Sequence, residues 1–331
     1  AVGLWLVGYE VAGLTFGVLL AALLAPVLSA DSNRMAVMRG LGSAIKSQIP
    51  DMLIKPVGTA IIVFVLIAVI GTASAVTGLF AYAASTLLGF VVGALMTRDS
   101  MKDVPDVEPN DKIRRGRFFG SVATMSMLGA SASITGNIDM LLLDNLGTYA
   151  DAGYYKVALA GLALVVLGGN AVSAVAFTRL AEAIPTGDKE SIAAHSDHAL
   201  KWSILFTGGA TLSIFVAGRP VIQFLYGSEY SSAWPVLLIL ATGFFVAFMF
   251  GQGPDVASLS GAHVPAAVCI LVGIVVTVVV AILLVSSLGI LAIAVGSMVG
   301  TITRFILVAI VLRIALGVDI TIFGLISRRF R

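Results

Sequence analysis

A stripe of polar side chains that ends in a carboxylate is the first feature of the sequence that could do chemistry. Its hydroxyl groups can hydrogen-bond a polar ligand, and its carboxylate can hold a cation or a proton. Helical geometry would place these residues on one narrow face of an apolar segment: Ser121, Thr124, Ser131, Thr135 and Asp139. Serine and threonine also permit close helix packing and bond backbone carbonyls, so a packing role stays open beside a binding role.

Asp139 and Lys156 lie on either side of a short polar turn between two apolar segments. Asp139 is either an interfacial residue or turn cap, or a functional group that serves as a cation or proton site or as the partner of Lys156. Lys156 and Asn170 share nearly the same helical face, where the lysine would act as a point charge towards a phosphate group. The alternative is that Lys156 snorkels to the nearest water.

Two further cations are candidates for an anion site. Arg304 lies midway along the last apolar segment, where an unpaired charge costs about 3 kcal/mol on insertion scales. It therefore needs either a phosphate ligand or a carboxylate partner such as Asp255 or Asp139. Lys55 opens the second apolar segment and would be the first cation to meet an anionic ligand, although its charge would also serve simply to set the topology.

The composition identifies the elements that carry these groups. The chain is 59% hydrophobic and 11% charged, whereas an ordinary soluble domain is about 25% charged. Its apolar residues form blocks of the length that crosses a hydrocarbon core as a helix. We therefore predict an all-α, multi-pass membrane protein with nine spans, at about 8–28, 53–71, 75–97, 118–141, 147–178, 203–226, 233–251, 265–287 and 289–314.

The basic residues support this count, because Lys and Arg accumulate on the cytoplasmic side of short loops. Seventeen of the 20 lie after the first, third, fifth and ninth blocks. The exceptions are Lys156, Arg219 and Arg304. The polar segment before the sixth block, which holds His195 and His198, is predicted to form a surface helix on the cytoplasmic side.

A charged segment with two prolines, residues 98–117, divides the chain and is predicted to be a cytoplasmic linker. Residues 1–97 would then form the remainder of an N-terminal lobe, 118–316 a six-helix C-terminal lobe, and 317–331 a cytoplasmic tail. The last three spans resemble the first three in layout, which suggests a repeat and an intact protein of twelve helices. Gly251, Gly253 and Pro254 interrupt the seventh block and are candidates for a hinge.

Several functional classes are disfavoured. The single cysteine, Cys269, lies in an apolar block and provides neither a disulfide nor a thiolate metal site. The histidines have no second ligand at metal spacing, so no metal site is predicted. The short loops lack paired acids of the kind that membrane transferases need, and catalysis is therefore not expected. Neither a cofactor nor a nucleic-acid partner is expected.

Several short motifs in order resemble polysaccharide flippases of the oligosaccharidyl-lipid transporter family. These motifs are Arg39-Gly40-Leu41-Gly42, Lys55-Pro56, Asp139-x-Leu-Leu-Leu143 with Gly153-x-Tyr155-x-x-Ala158, Phe224-Leu225-Tyr226-Gly227, and Ser260-Gly261. The resemblance covers the chain as helices four to twelve of such a protein, so three N-terminal helices would be missing.

This resemblance implies two lobes around a central cavity, in a bacterial or archaeal cytoplasmic membrane. It implies that a lipid-linked oligosaccharide on undecaprenyl diphosphate is flipped by alternating access for cell-surface polysaccharide biosynthesis. The expected partners are this substrate, membrane lipids, and a proton or Na⁺ as coupling ion. A multidrug or cation antiporter of the same superfamily and a peptidoglycan-precursor flippase are the alternatives. Buried cations such as Arg304 and Lys156 favour the polysaccharide flippase over the antiporter.

Overall fold

The computed structural model describes residues 2–41, 43–71, 75–102, 131, 133–251 and 253–329. All regular secondary structure within these ranges is helical, which confirms the predicted all-α class. The chain divides into two compact units, Ala1–Asn110 and Asp111–Arg331. Residues 103–117 of the predicted linker, together with Ser121 and Thr124 of the polar stripe, lie outside the described residues.

The first unit is built from long helices that pack on α4, which contacts both α1 and α3. Its described elements are α1 (Val2–Gly40), α2 (Ala44–Ile49), a π-helical turn (Pro50–Ile54), α3 (Lys55–Ile70) and α4 (Ala75–Ser100). The π-helical turn begins at a proline, whose ring disrupts the regular backbone ladder. The Lys55 N–H bonds the Pro50 carbonyl five residues back, so the chain stays helical through the proline.

The second unit contains the remaining described helices. These are α5 (residues 133–146), α6 (Tyr149–Thr186), α7 (Lys189–Tyr226), a 3-10 turn (Ser228–Ser232), α8 (Ala233–Phe248), α9 (Gly253–Leu259), α10 (His263–Leu288), α11 (Ile290–Leu316) and α12 (Ile322–Arg329). Helices α6, α7, α8, α10 and α11 pack against one another around two buried apolar clusters.

Seven helical segments among the described residues are long and apolar enough to cross a membrane. They are Lys46–Val69, Val76–Ser100, Tyr149–Thr186, Lys189–Tyr226, Ser228–Phe248, Val264–Leu288 and Ile290–Leu316. The predicted block 8–28 falls within α1, and most of block 118–141 lies outside the described residues. The count of nine therefore stays a prediction.

The polar segment that holds His195 and His198 is not a separate surface helix. It is the first part of α7, which runs without a break from Lys189 to Tyr226. The Asp188 side chain caps this helix by accepting hydrogen bonds from the backbone N–H groups of Glu190 and Ser191. The sequence then offers no proline before Pro220 to end the helix.

Local interactions explain two of the turns in the second unit. A two-residue turn joins α5 to α6, and a capping box between Thr148 and Asp151 starts α6. Farther along the chain, α8 stops before Gly251, which has a φ of 88°. A Cβ there would lie 2.8 Å from the Ile320 carbonyl oxygen, so both the conformation and the close packing require glycine.

Candidate functional site

A cavity of about 520 Å³ lies within the second unit, between α5, α6, α8, α10 and α11. Four residues of the predicted site line it: Thr135, Asp139, Asn170 and Arg304. Ser173, Thr277, Ser297 and Thr301 add hydroxyl groups, and the rest of the wall is apolar. An apolar cavity with a few convergent polar groups is the usual form of a ligand site.

Asp139 is held by hydrogen bonds from two other helices. The hydroxyl of Tyr155 on α6 donates to its Oδ2 at 2.8 Å, and the hydroxyl of Ser297 on α11 donates to its Oδ1. The side chains of Asp139 and Tyr155 are buried. Asp139 is thus neither an interfacial residue nor the cap of the turn, and its carboxylate joins α5, α6 and α11.

Arg304 is a charged residue of this cavity that has no matched partner among the described residues. Among the described residues its guanidinium makes no hydrogen bond, and its buried Nε has no partner. Its Cζ lies 5.7 Å from the centroid of the Phe305 ring, a contact worth about 0.5–2 kcal/mol. Asp139 attracts it electrostatically, but the two form no ion pair within 4.0 Å in the described structure.

The Phe305 contact therefore does not offset the cost of about 3 kcal/mol for an unpaired charge inside a membrane. The fold nevertheless makes room for this side chain, because Gly273 on α10 faces it. A Cβ at Gly273 would lie 2.8 Å from the Arg304 Cβ. The arrangement suits an anion that enters the cavity and accepts from the guanidinium.

The other predicted residues take different positions. Lys156 is exposed and does not line the cavity, although Asn170 on the same helix does. Ser131 is buried, and its carbonyl accepts a 2.9 Å hydrogen bond from the Thr135 hydroxyl. The Thr135 oxygen keeps its lone pairs for a ligand, while its proton is engaged with the backbone.

Lys55 belongs to the first unit, where it lines a separate cavity of about 750 Å³. Its ammonium group donates to Asp31 Oδ2 at 2.9 Å and also forms an ion pair with Asp51. Arg34 Nε donates to the other Asp31 oxygen at 2.7 Å. Burial alone would raise the pKa of Asp31, but the hydrogen bonds from Lys55 and Arg34 hold this pKa below its usual value. Any anion that bound Lys55 would have to displace a carboxylate.

Sequence reasoning missed several residues that the cavity brings together. Ser297 and Thr301 precede Arg304 by seven and three positions, which places all three on one face of α11. That spacing is sufficient to identify Ser297 and Thr301 as candidates from the sequence. Tyr155 belongs to one of the short motifs, but the sequence alone does not indicate its role. Its bond to Asp139 depends on the packing of α5 against α6.

Comparison with known proteins indicates the family of the chain. A family model described as "Polysaccharide biosynthesis protein" matches residues 51–235, more than half of the 331-residue chain. The chain belongs to the polysaccharide biosynthesis protein family. This membership confirms the resemblance to polysaccharide flippases that the ordered motifs indicate. No curated protein matches the chain at significant similarity.

Two solved structures share the fold of this polysaccharide biosynthesis protein. A crystal structure of MATE in the bent conformation has a TM-score of 0.69 and 14% identity, over 97% of this chain and 78% of that chain. A crystal structure of MATE in complex with MaL6 has a TM-score of 0.73 and 14% identity, over 90% of this chain and 68% of that one. Family and fold together support a multi-pass membrane transporter.

Proposed function

We propose that the chain moves a lipid-linked oligosaccharide of the undecaprenyl-diphosphate type from the inner to the outer leaflet of a bacterial or archaeal cytoplasmic membrane. Transport would proceed by alternating access and supply cell-surface polysaccharide biosynthesis. The observation that carries this proposal is the Arg304 guanidinium, which has no hydrogen-bond partner among the described residues and lies in a cavity that also offers hydroxyl and amide groups. A diphosphate supplies the missing anion, and the attached sugars supply hydroxyls for the neutral groups.

Seven of the eight predicted site residues have a place in substrate binding under this proposal. Arg304 binds a phosphate oxygen, and Asn170 and Thr135 bond sugar hydroxyls. Ser131 and Thr124 would extend the hydroxyl stripe, and Lys156 would add positive charge outside this cavity. Lys55 would contribute only where a phosphate displaced one of its carboxylate partners. The lipid tail stays in the bilayer, so the cavity needs to enclose only the head group. A proton or Na⁺ is the proposed coupling ion.

A multidrug or cation antiporter is the second candidate. Three aromatic side chains of the cavity favour it, whereas its charged groups do not. Phe244, Phe248 and Phe305 line the same cavity, and aromatic rings bind organic cations. Asp139 would be the counter-charge, but both of its oxygens already accept hydrogen bonds from Tyr155 and Ser297. Arg304 would also repel a cation. A peptidoglycan-precursor flippase would use the same phosphate contact.

The deciding experiment replaces Arg304 in a strain whose surface-polysaccharide export depends on this protein. Arg304→Ala should abolish export while the protein still inserts in the membrane, and Arg304→Lys should retain part of the export. Arg219→Ala is the matched control, because Arg219 is an exposed arginine near the end of α7. Normal export by Arg304→Ala would contradict the proposal. Efflux of cationic drugs by the wild type, lost in Asp139→Asn, would favour the antiporter.

A further inference from the structure

A second, smaller groove of about 230 Å³ lies where the end of α11 meets α12. The charge distribution of the loops predicts that this end faces the cytoplasm. The groove combines an apolar wall with one cation, one anion and one hydroxyl. Its lining consists of Phe250, Ile306, Ala309, Ile310, Arg313, Asp319, Thr321 and Phe323.

The two charges of this groove lie side by side and remain accessible. Arg313 Nη1 is 3.4 Å from Asp319 Oδ2, and the side chains are 69% and 20% exposed. Asp319 Oδ1 accepts both the backbone N–H and the hydroxyl of Thr321, at 3.0 Å and 2.7 Å. Its other oxygen therefore faces the groove beside the guanidinium. A pair with one exposed partner is worth about 1 kcal/mol, so a ligand that satisfies both charges can replace it.

The apolar wall continues onto the lipid-facing surface of the last span. Ile310, Ile314 and Phe323 are 50%, 79% and 64% exposed. Phe323 is held in place because the Ile322 N–H donates to the Met249 carbonyl at 2.9 Å. A hydrocarbon chain lying along these residues would cover apolar surface that the protein itself leaves open.

We propose that this groove binds a membrane phospholipid with a phosphoethanolamine head group. The phosphate accepts hydrogen bonds from Arg313, and the primary ammonium donates to Asp319 Oδ2 in place of the Arg313 guanidinium. One acyl chain lies along Ile310 and Phe323. The fixed pair of opposite charges matches a zwitterionic head group, because each ligand charge meets its opposite.

This charge pattern also discriminates between head groups. A phosphocholine head group has the same net charge, but its quaternary ammonium has no N–H to donate to Asp319. A phosphoglycerol head group brings a phosphate without a cation and leaves Asp319 next to a like charge. Neither alternative satisfies both Arg313 and Asp319.

Native mass spectrometry of the delipidated full chain tests the proposal. Phosphatidylethanolamine, phosphatidylcholine and phosphatidylglycerol with identical acyl chains are titrated against the wild type. Phosphatidylethanolamine should bind about tenfold more tightly than phosphatidylcholine, the effect of one hydrogen bond to a charged group. Glycerophosphoethanolamine, which lacks acyl chains, should not compete, since it cannot use the apolar wall.

Three variants assign this preference to the groove. Asp319→Asn keeps an acceptor for Thr321 and removes the charge, so it should bring the affinity for phosphatidylethanolamine close to that for phosphatidylcholine and strengthen phosphatidylglycerol binding. Arg313→Gln should weaken all three lipids by about tenfold. Arg179→Gln, which changes another exposed arginine, should change none of them.

Three results would overturn the proposal. The first is equal binding of phosphatidylethanolamine and phosphatidylcholine by the wild type. The second is an unchanged lipid preference in Asp319→Asn. The third is an effect of Arg179→Gln as large as that of Arg313→Gln, which would indicate diffuse electrostatic binding. Thermal unfolding of each variant in detergent establishes that the fold is retained.

Discussion

The Tyr155 hydroxyl donates a 2.8 Å hydrogen bond to Asp139 Oδ2, across the interface between α5 and α6. Tyr155 is completely buried, and Ser297 occupies the other carboxylate oxygen. The acidic group at the end of the polar stripe is therefore part of the packing of three helices as well as part of the cavity wall. Within the cavity it lies near Arg304 without pairing with it.

Tyr155→Phe should lower the stability of the protein, because it removes one donor from a buried carboxylate without creating a cavity. The expected loss is about 1–3 kcal/mol, measured as a lower midpoint of thermal unfolding in detergent. Tyr154→Phe is the matched control, since Tyr154 makes an edge contact with Tyr230 that does not need the hydroxyl. Equal unfolding midpoints for the two variants would show that the Tyr155 bond adds no stability.

The ion pairs of the first unit predict a second difference in stability. Asp31 is 2% exposed and bonds both Arg34 and Lys55. Asp31→Asn leaves these cations short of a counter-charge and should cost about 3–5 kcal/mol. The control is Asp99→Asn, whose partner is Lys102. Those two side chains are 78% and 68% exposed, so the expected change is below about 1 kcal/mol.

Thermal unfolding and expression yield of both variants measure this difference. A destabilisation by Asp99→Asn as large as that by Asp31→Asn would mean that the buried pairs do not differ from the surface pair. Retained stability in Asp31→Asn would mean that Asp51, which also pairs with Lys55, compensates for the missing carboxylate.

The close approach of α10 and α11 at Gly300 gives a third prediction. A Cβ at Gly300 would collide with the Thr277 side chain and with the Gly273 carbonyl oxygen. Gly300→Ala should therefore force the two helices apart at a cost of about 1–3 kcal/mol. It should also reduce export, because Thr277 and Arg304 line the cavity at this interface.

Gly209→Ala provides the matched control for Gly300→Ala. Gly209 lies within α7, and a Cβ there would meet nothing within 4 Å. Alanine favours the helix at such a position by up to about 1 kcal/mol, so this variant should be at least as stable as the wild type. Similar losses in both variants, compared by thermal unfolding and by export, would contradict the packing argument.

The spacing of polar residues and the cost of a buried charge select three residues that line the cavity, Thr135, Asp139 and Arg304. Thr135 and Asp139 share a helical face by their spacing alone, and Arg304 stands out because an apolar span tolerates few charges. Both features can be recognised within a short stretch of the sequence. The bond between Ser297 and Asp139 joins residues 158 positions apart, so only the tertiary packing reveals it.

The sequence alone does not determine the surroundings of the two predicted lysines. Lys156 and Asn170 share nearly one face of α6, yet only Asn170 lines the cavity, because a cavity covers only part of the length of a helix. The sequence leaves two roles open for Lys55, first contact with an anionic ligand or a charge that sets the topology, and the fold pairs it with Asp31 and Asp51. The sequence shows where charged residues occur along the chain, but it does not show which opposite charges the fold places next to them.

Asn170→Asp tests the sign of the charge that the cavity accepts. Asn170 lines the same cavity as Arg304, and a carboxylate of the same size would reduce the positive potential there. If the cargo carries a diphosphate, export should fall by about tenfold or more, the effect of losing one charge-assisted contact. If the cargo is an organic cation, the same variant should keep or increase transport. Transport by purified protein in liposomes, with each cargo in turn, distinguishes the two, and Asn145→Asp at the exposed end of α5 should leave both rates unchanged.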